Sequence, residues 1–236
     1  RSRRKKIKTF KPRMFTLYPE LFPGPFNEGL FGKALKEKIW ELEKVNIRDY
    51  ATDKHKTVDD TPYGGGSGML MRPDIISRAI EDNIKKSEKI IYLSPRGKLF
   101  NHEIAKDLSN QKVINLLCGH FEGIDERVLV KKNIEEISIG DFVLSGGETA
   151  AYAILDAILR YIPGILGNKN STEDESFENG LLEYPQFTKP QIWEEMMVPE
   201  VLLSGDHAKI KDWRLSQSEA ITRDRRPDLW PKHKTN

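Results

Sequence analysis

The sequence predicts an α/β protein built on a mostly parallel sheet flanked by helices, and three observations carry that prediction. Short β-branched runs alternate with helical patterns from Met14 to Gly167. The most unusual loops fall at the carboxyl ends of the candidate strands, where such sheets hold their ligands. With 236 residues and 38% hydrophobic content, the chain can bury one large core, or a medium one beside a small partner domain.

Residues 1–13, RSRRKKIKTFKPR, hold eight Lys and Arg and no acid, so removing them takes the net charge from +2 to −6. They are expected to form a solvated, disordered basic tail, with a nucleic-acid-attracting arm as the alternative. Candidate strands follow at MFTLY (14–18), KIIYLS (89–94), KVINLL (112–117) and DFVL (141–144). Helical spacing marks residues 72–86, 101–109 and 148–162. DFVL is read as a buried strand that breaks into Ser145, Gly146, Gly147 and Glu148. Paired glycines there imply that a ligand or another stretch of backbone comes too close for side chains. An α/β domain is expected over 14–166. The polar, acidic stretch after it reads as a linker over 167–176, and a mainly helical domain is expected over 177–236. The last domain interleaves Lys and Arg with Trp213 and Trp230, which suits contacts to phosphates and bases as well as it suits a helix with a charged outer face.

Several chemistries are disfavoured. YGGGSGM puts Met69 where a Gly-x-Gly-x-x-Gly turn needs its last glycine, and no Walker-type loop occurs. Five scattered histidines and the single cysteine, Cys118, offer no zinc site and no disulfide, so a reducing, cytoplasmic setting is expected. Glu122, Asp125 and Glu126 could hold Mg2+, although a helix-opening acidic turn explains the last two without a metal. No apolar stretch is long enough to span a bilayer, and no signal-peptide core follows the basic N-terminus. Gly97, Gly119, Gly123, Gly140, Gly146 and Gly147 would instead converge at one rim of the sheet, offering main-chain N–H and C=O groups. That rim suits a neutral or cationic ligand bearing a heterocycle and suits a polyphosphate poorly.

TVDDTPYGGGSGMLM, YLSPRG, NLLCGHFEGIDERV, EEISIGDFVLSGGE, RYIPGILGN, SFENGLLEYPQFTKP and VPEVLLSGDHAKIKDWR occur in the order found in bacterial tRNA (guanine-N1)-methyltransferases, which the chain resembles from about Met14 to Arg226. The resemblance implies the SPOUT class: a sheet with a deep trefoil knot, S-adenosylmethionine as methyl donor, and a homodimer whose active site is shared between subunits. It implies tRNA as substrate, at the guanosine 3′ of the anticodon (position 37), and no membrane partner. A ribose methyltransferase of the same class, or a non-catalytic RNA-binding relative, stays open as an alternative.

The family's donor contacts fall on Tyr92, Leu93, Ser94, Pro95 and Gly97, on Gly119, Phe121, Glu122 and Gly123, and on Ile139, Gly140, Asp141, Phe142, Val143, Leu144, Gly146 and Gly147. Methylating guanine N1 calls for a base at N1 and a donor at O6, where negative charge grows. The resemblance gives Arg160 for the donor. For the base it gives Glu175 when DESF is aligned on Ser176, or Asp174 when the Asp is kept. Asp60, Tyr63, Gly64 and Gly65 would help form the guanine pocket. Lys209 and Arg214, with Lys211, Arg223, Arg225 and Arg226, would grip the anticodon stem. Departures from the family pattern are PQF at 185–187, Phe121 and Lys189.

Overall fold

A computed structural model describes residues 9–166 and 175–230. The chain divides into two compact units, Arg1–Gly167 and Asn168–Asn236.

In the first unit the elements run β1 (Lys11–Thr16), α1 (Gly29–Lys36), β2 (Glu43–Asn46), β3 (Asp59–Asp60), β4 (Leu70–Met71), α2 (Pro73–Asn83) and β5 (Ile90–Leu99). They continue with α3 (His102–Ser109), β6 (Val113–Cys118), α4 (Glu126–Lys131), β7 (Glu135–Ser138) and α5 (Glu148–Leu159). Five strands form one sheet in the order β2-β1-β6-β5-β7, every neighbouring pair parallel. β6 shows why: from Ile114 to Cys118 it is buried throughout, as a strand covered on both faces must be. Successive side chains point to opposite faces. Ile91, Leu93, Ile114, Leu116 and Ile137 therefore meet α3 and α5 in one core, whereas Phe15, Ile90, Tyr92 and Leu117 meet α2 and α4 in another.

Two expectations need correction. The basic tail expected over 1–13 ends early, because Lys11, Pro12 and Arg13 open β1; residues 1–8 lie outside the described residues. Strand formation is open to this basic segment because acids meet its charges: Glu43 lies 3.0 Å from Lys11 and 3.2 Å from Arg13, and Glu88 lies 3.0 Å from Arg13. DFVL is not a strand. The fifth strand is β7, EEIS, whose Ile137 is buried. The chain leaves the sheet at Ser138, whose hydroxyl bonds the Gly140 carbonyl at 2.9 Å. Phe142, Val143 and Leu144 are consequently exposed, Val143 to 83%.

β5 contains an excursion that matters for the site: Leu93 and Lys98 both pair with Ile137, so Ser94–Gly97 is pushed out of the ladder.

The second unit holds β8 (Ile192–Trp193) and β9 (Met196–Met197), which form a hairpin, then α6 (Glu200–Leu203) and α7 (His207–Arg225). Asp206 caps α7 by accepting from the Lys209 N–H at 3.1 Å. Only Ser218 and Thr222 of α7 are buried, and the Thr222 hydroxyl accepts from the Leu182 N–H at 2.8 Å.

Candidate active site

The carboxyl ends of β5, β6 and β7 open into a cavity of about 180 Å³. Its walls contain every expected donor contact except Gly97 and Asp141. Close backbone approach builds it. A Cβ on Gly147 would lie 2.7 Å from the Cys118 Cα, and the Gly147 N–H donates to the Gly119 carbonyl at 3.0 Å. A Cβ on Gly146 would lie 2.3 Å from the His120 Cε1, and one on Gly119 would lie 2.7 Å from the Tyr92 Cε2. The loop after β7 is thus locked onto the end of β6, and the loop after β6 onto the Tyr92 ring of β5, without room for a methyl group. Gly97 serves a different contact, since its Cβ would strike the Glu136 carbonyl carbon at 2.4 Å. It seats the β5 excursion on β7 and does not line the cavity.

Burial pushes the Tyr92 phenol up to about 12, with Glu136 adding to the shift and Arg96 opposing it, so the ring is a neutral wall at physiological pH. Burial, and then the charge of Glu148, raise the Cys118 thiol well above its ordinary range. Behind the wall, Glu148 is only 4% exposed and meets His120 Nε2 at 2.8 Å. His120, Ser138, Ser145 and Ala150 also line the cavity and were not expected there. His120 stands inside CGHFEG, but a lone histidine in a loop gives no pattern to read.

The Gly-rich segment is tied to the rim of this cavity. Met71 N–H donates to the Gly123 carbonyl and Glu122 N–H to the Met69 carbonyl, both at 2.9 Å. Asp60 sits on β3 paired with Leu70; Tyr63 projects with 99% exposure; Gly64 and Gly65 adopt φ of 87° and 77°. Asp125 caps α4 and pairs with Arg127 at 2.7 Å, while Glu126 pairs with Arg96 at 2.8 Å. Among the described residues no three His, Cys, Asp or Glu stand together as a metal site.

The remaining expected residues are not among those lining this cavity. Arg160 is the C-cap of α5 and borders a cavity of about 430 Å³ with Pro25, Phe26, Tyr152 and Asp156. Burial raises the Asp156 carboxyl, and the Arg160 charge opposes that rise. Gly147 and Arg160 cap opposite ends of α5, which at 1.5 Å per residue puts them about 20 Å apart. In the second unit Glu175 and Arg214 border one cavity of about 500 Å³ with Tyr184, His207 and Lys211, and Arg214 lies 4.8 Å over the Tyr184 ring. Lys209 is exposed and 3.3 Å from Asp206. Asp174 lies outside the described residues.

A family model described as tRNA (Guanine-1)-methyltransferase TrmD matches residues 10–232. The chain belongs to this family. A tRNA (guanine-N(1)-)-methyltransferase of Pelagibacter ubique is 66% identical over 227 residues, covering 96% of this chain and all of the relative. Proteins of the same name from Brucella canis and Rhodospirillum rubrum are 52% and 51% identical, covering 94% and 93% of this chain and 90% and 92% of theirs. The match to the tRNA (guanine-1)-methyltransferase family takes in both compact units. The residues lining the 180 Å³ cavity are largely glycines and apolar side chains with no Lys or Arg among them, so it offers no cluster of cations for phosphates.

Proposed function

We propose that this chain transfers a methyl group from S-adenosylmethionine to N1 of a guanine in tRNA, the guanosine 3′ of the anticodon (position 37). One observation carries the reading most: in a chain of this family, the loops after β6 and β7 close with Tyr92 of β5 around a glycine-rich cavity, with close approaches at glycines 119, 146 and 147. Tyr92–Pro95, Gly119–Gly123 and Ile139–Gly147 would hold the donor, which when bound supplies a methyl group activated on a sulfonium. The trefoil knot belongs to the same proposal, and the backbone approaches at Gly97 and Gly147 support it, since each packs one loop directly on another segment of main chain.

Arg160 would hold guanine O6 by donating to the oxygen that gains charge as N1 loses its proton. Glu175, with Asp174 as the alternative, would take that proton. The hairpin segment from Asp60 to Gly65 would wall the guanine, being hydrogen-bonded to the donor rim through Met69 and Met71. Because α5 separates Arg160 from the cavity of its own chain by about 20 Å, the reading assigns Arg160 to the cavity of a second copy, and so proposes a homodimer with composite sites. In the second unit the exposed Lys209, Lys211, Arg223 and Arg225 along α7 would follow the stem phosphates, and a target base inside a stacked loop would have to swing out. Cys118 is a buried thiol, which accords with the proposed cytoplasmic setting. Among the described residues no helix is long and apolar enough to cross a membrane.

The test is transfer onto anticodon stem-loop transcripts with and without the target G, followed by nucleoside mass spectrometry. Formation of 1-methylguanosine only on the transcript with that G is expected. A 2′-O-methylated product, or none, would overturn the assignment.

A further inference from the structure

A buried acid in a helix's first turn, tied to a pocket residue, suggests a role that the reaction chemistry does not assign. Glu148 opens α5 and is 4% exposed. Burying a carboxylate is costly unless its charge is met, and an apolar residue would be the easier occupant of such a place. Here the charge is met on every side. The helix N-terminus favours it. The Thr16 hydroxyl lies 2.5 Å from Oε1, and His120 Nε2 lies 2.8 Å from Oε2. Thr16 Oγ1 accepts from the Tyr18 N–H at 2.9 Å, and because a carboxylate only accepts, the Thr16 proton goes to Glu148. A carboxylate only accepts, so His120 must carry a proton on Nε2.

His120 is fixed from the other directions as well. Its ring meets Tyr18 edge-on at 5.0 Å, its main chain bridges to Gly146, and the space a Gly146 side chain would need is filled by its Cε1. Thr16 at the end of β1, Glu148 at the start of α5 and His120 beyond β6 thus form one chain of contacts ending on the cavity wall. We infer that Glu148 is a positioning residue for the methyl donor, acting through His120 to hold the 119–121 and 145–147 walls in binding geometry. The inference rests on the reading of the cavity as the donor site.

Glu148→Gln tests it in the full-length protein. The amide keeps the shape but loses the charge and presents one NH2, so Oε1 and Oε2 can no longer both accept, from Thr16 and from His120. Nitrogen-15 NMR of the ligand-free wild type is expected to show the His120 proton on Nε2, and a bare Nε2 would overturn the contact chain. Calorimetry with S-adenosylmethionine is expected to give affinity at least about tenfold weaker, and the donor KM should rise in step while kcat at saturating donor stays within roughly threefold. Should Glu148→Gln fail to fold, Thr16→Val removes one support of the carboxylate without touching the cavity, and a roughly threefold loss of donor affinity is expected. A folded variant of either kind that binds donor like the wild type overturns the inference and leaves the donor site intact. A wild type with no donor affinity overturns the donor site itself, and this inference with it.

Discussion

In the proposed mechanism Arg160 and a carboxylate base divide the chemistry between them, and each can be removed separately. Arg160→Ala is expected to bind S-adenosylmethionine within about twofold of the wild type and to lose about 100-fold or more in single-turnover methyl transfer. Loss of donor binding in that variant would contradict a role confined to O6. Glu175→Gln and Asp174→Asn should differ: the true base costs about 100-fold or more when neutralised, and its neighbour much less. Full activity in both would remove the carboxylate from the mechanism. At this scale the sequence was legible where a residue type announces its constraint. Gly146 and Gly147 read as a place of close approach, and the Cβ contacts at 2.3 and 2.7 Å give the reason. Glu148 was not legible, because its partners come from Thr16, 132 positions away, and His120, 28 away. No local pattern encodes such a meeting.

Helix α5 joins the core to the residues proposed for the chemistry. Ile154, Leu155, Ile158 and Leu159 are fully buried at 0% exposure, while its two ends carry Glu148 and Arg160. Leu155→Ala is expected to cost about 2–5 kcal/mol by leaving a cavity against the sheet, read as a lower denaturation midpoint. An unchanged midpoint would mean that α5 does not anchor the core. Its apolar periodicity made it readable from sequence. β7 was hidden for the opposite reason: two of its four residues are Glu, one exposed and one partly exposed, so only Ile137 signals burial. The adjacent DFVL drew the strand assignment because it is apolar, yet Phe142, Val143 and Leu144 line the cavity instead of pairing. An apolar run that faces a ligand looks the same in sequence as one that faces a core.

For the whole molecule, the span of α5 makes the proposed dimer testable by mixing. Subunits carrying Arg160→Ala retain a sound cavity, and subunits carrying Gly147→Ala retain Arg160. If the sites are composite, random pairing of the two proteins, assayed at a donor concentration too low to load Gly147→Ala, should restore about a quarter of wild-type transfer, since half the dimers then hold one complete site out of two. No recovery in verified mixed dimers would contradict sharing. The alternation of strand and helix foretold the three-layer sheet, because burial on both faces writes itself into β5 and β6. How loops from three strands interlock could not be read that way, because it depends on tertiary approach rather than period.

The central claim is that main chain at the carboxyl edge of the sheet grips the methyl donor, and calorimetric titration of S-adenosylmethionine onto the wild type and Gly147→Ala tests it most directly. A Cβ at position 147 would press on the Cys118 backbone at 2.7 Å and force the loop away from β6. The wild type should bind one donor per chain, and a folded Gly147→Ala protein should bind at least about tenfold more weakly. Equal affinity in the two proteins would contradict the account.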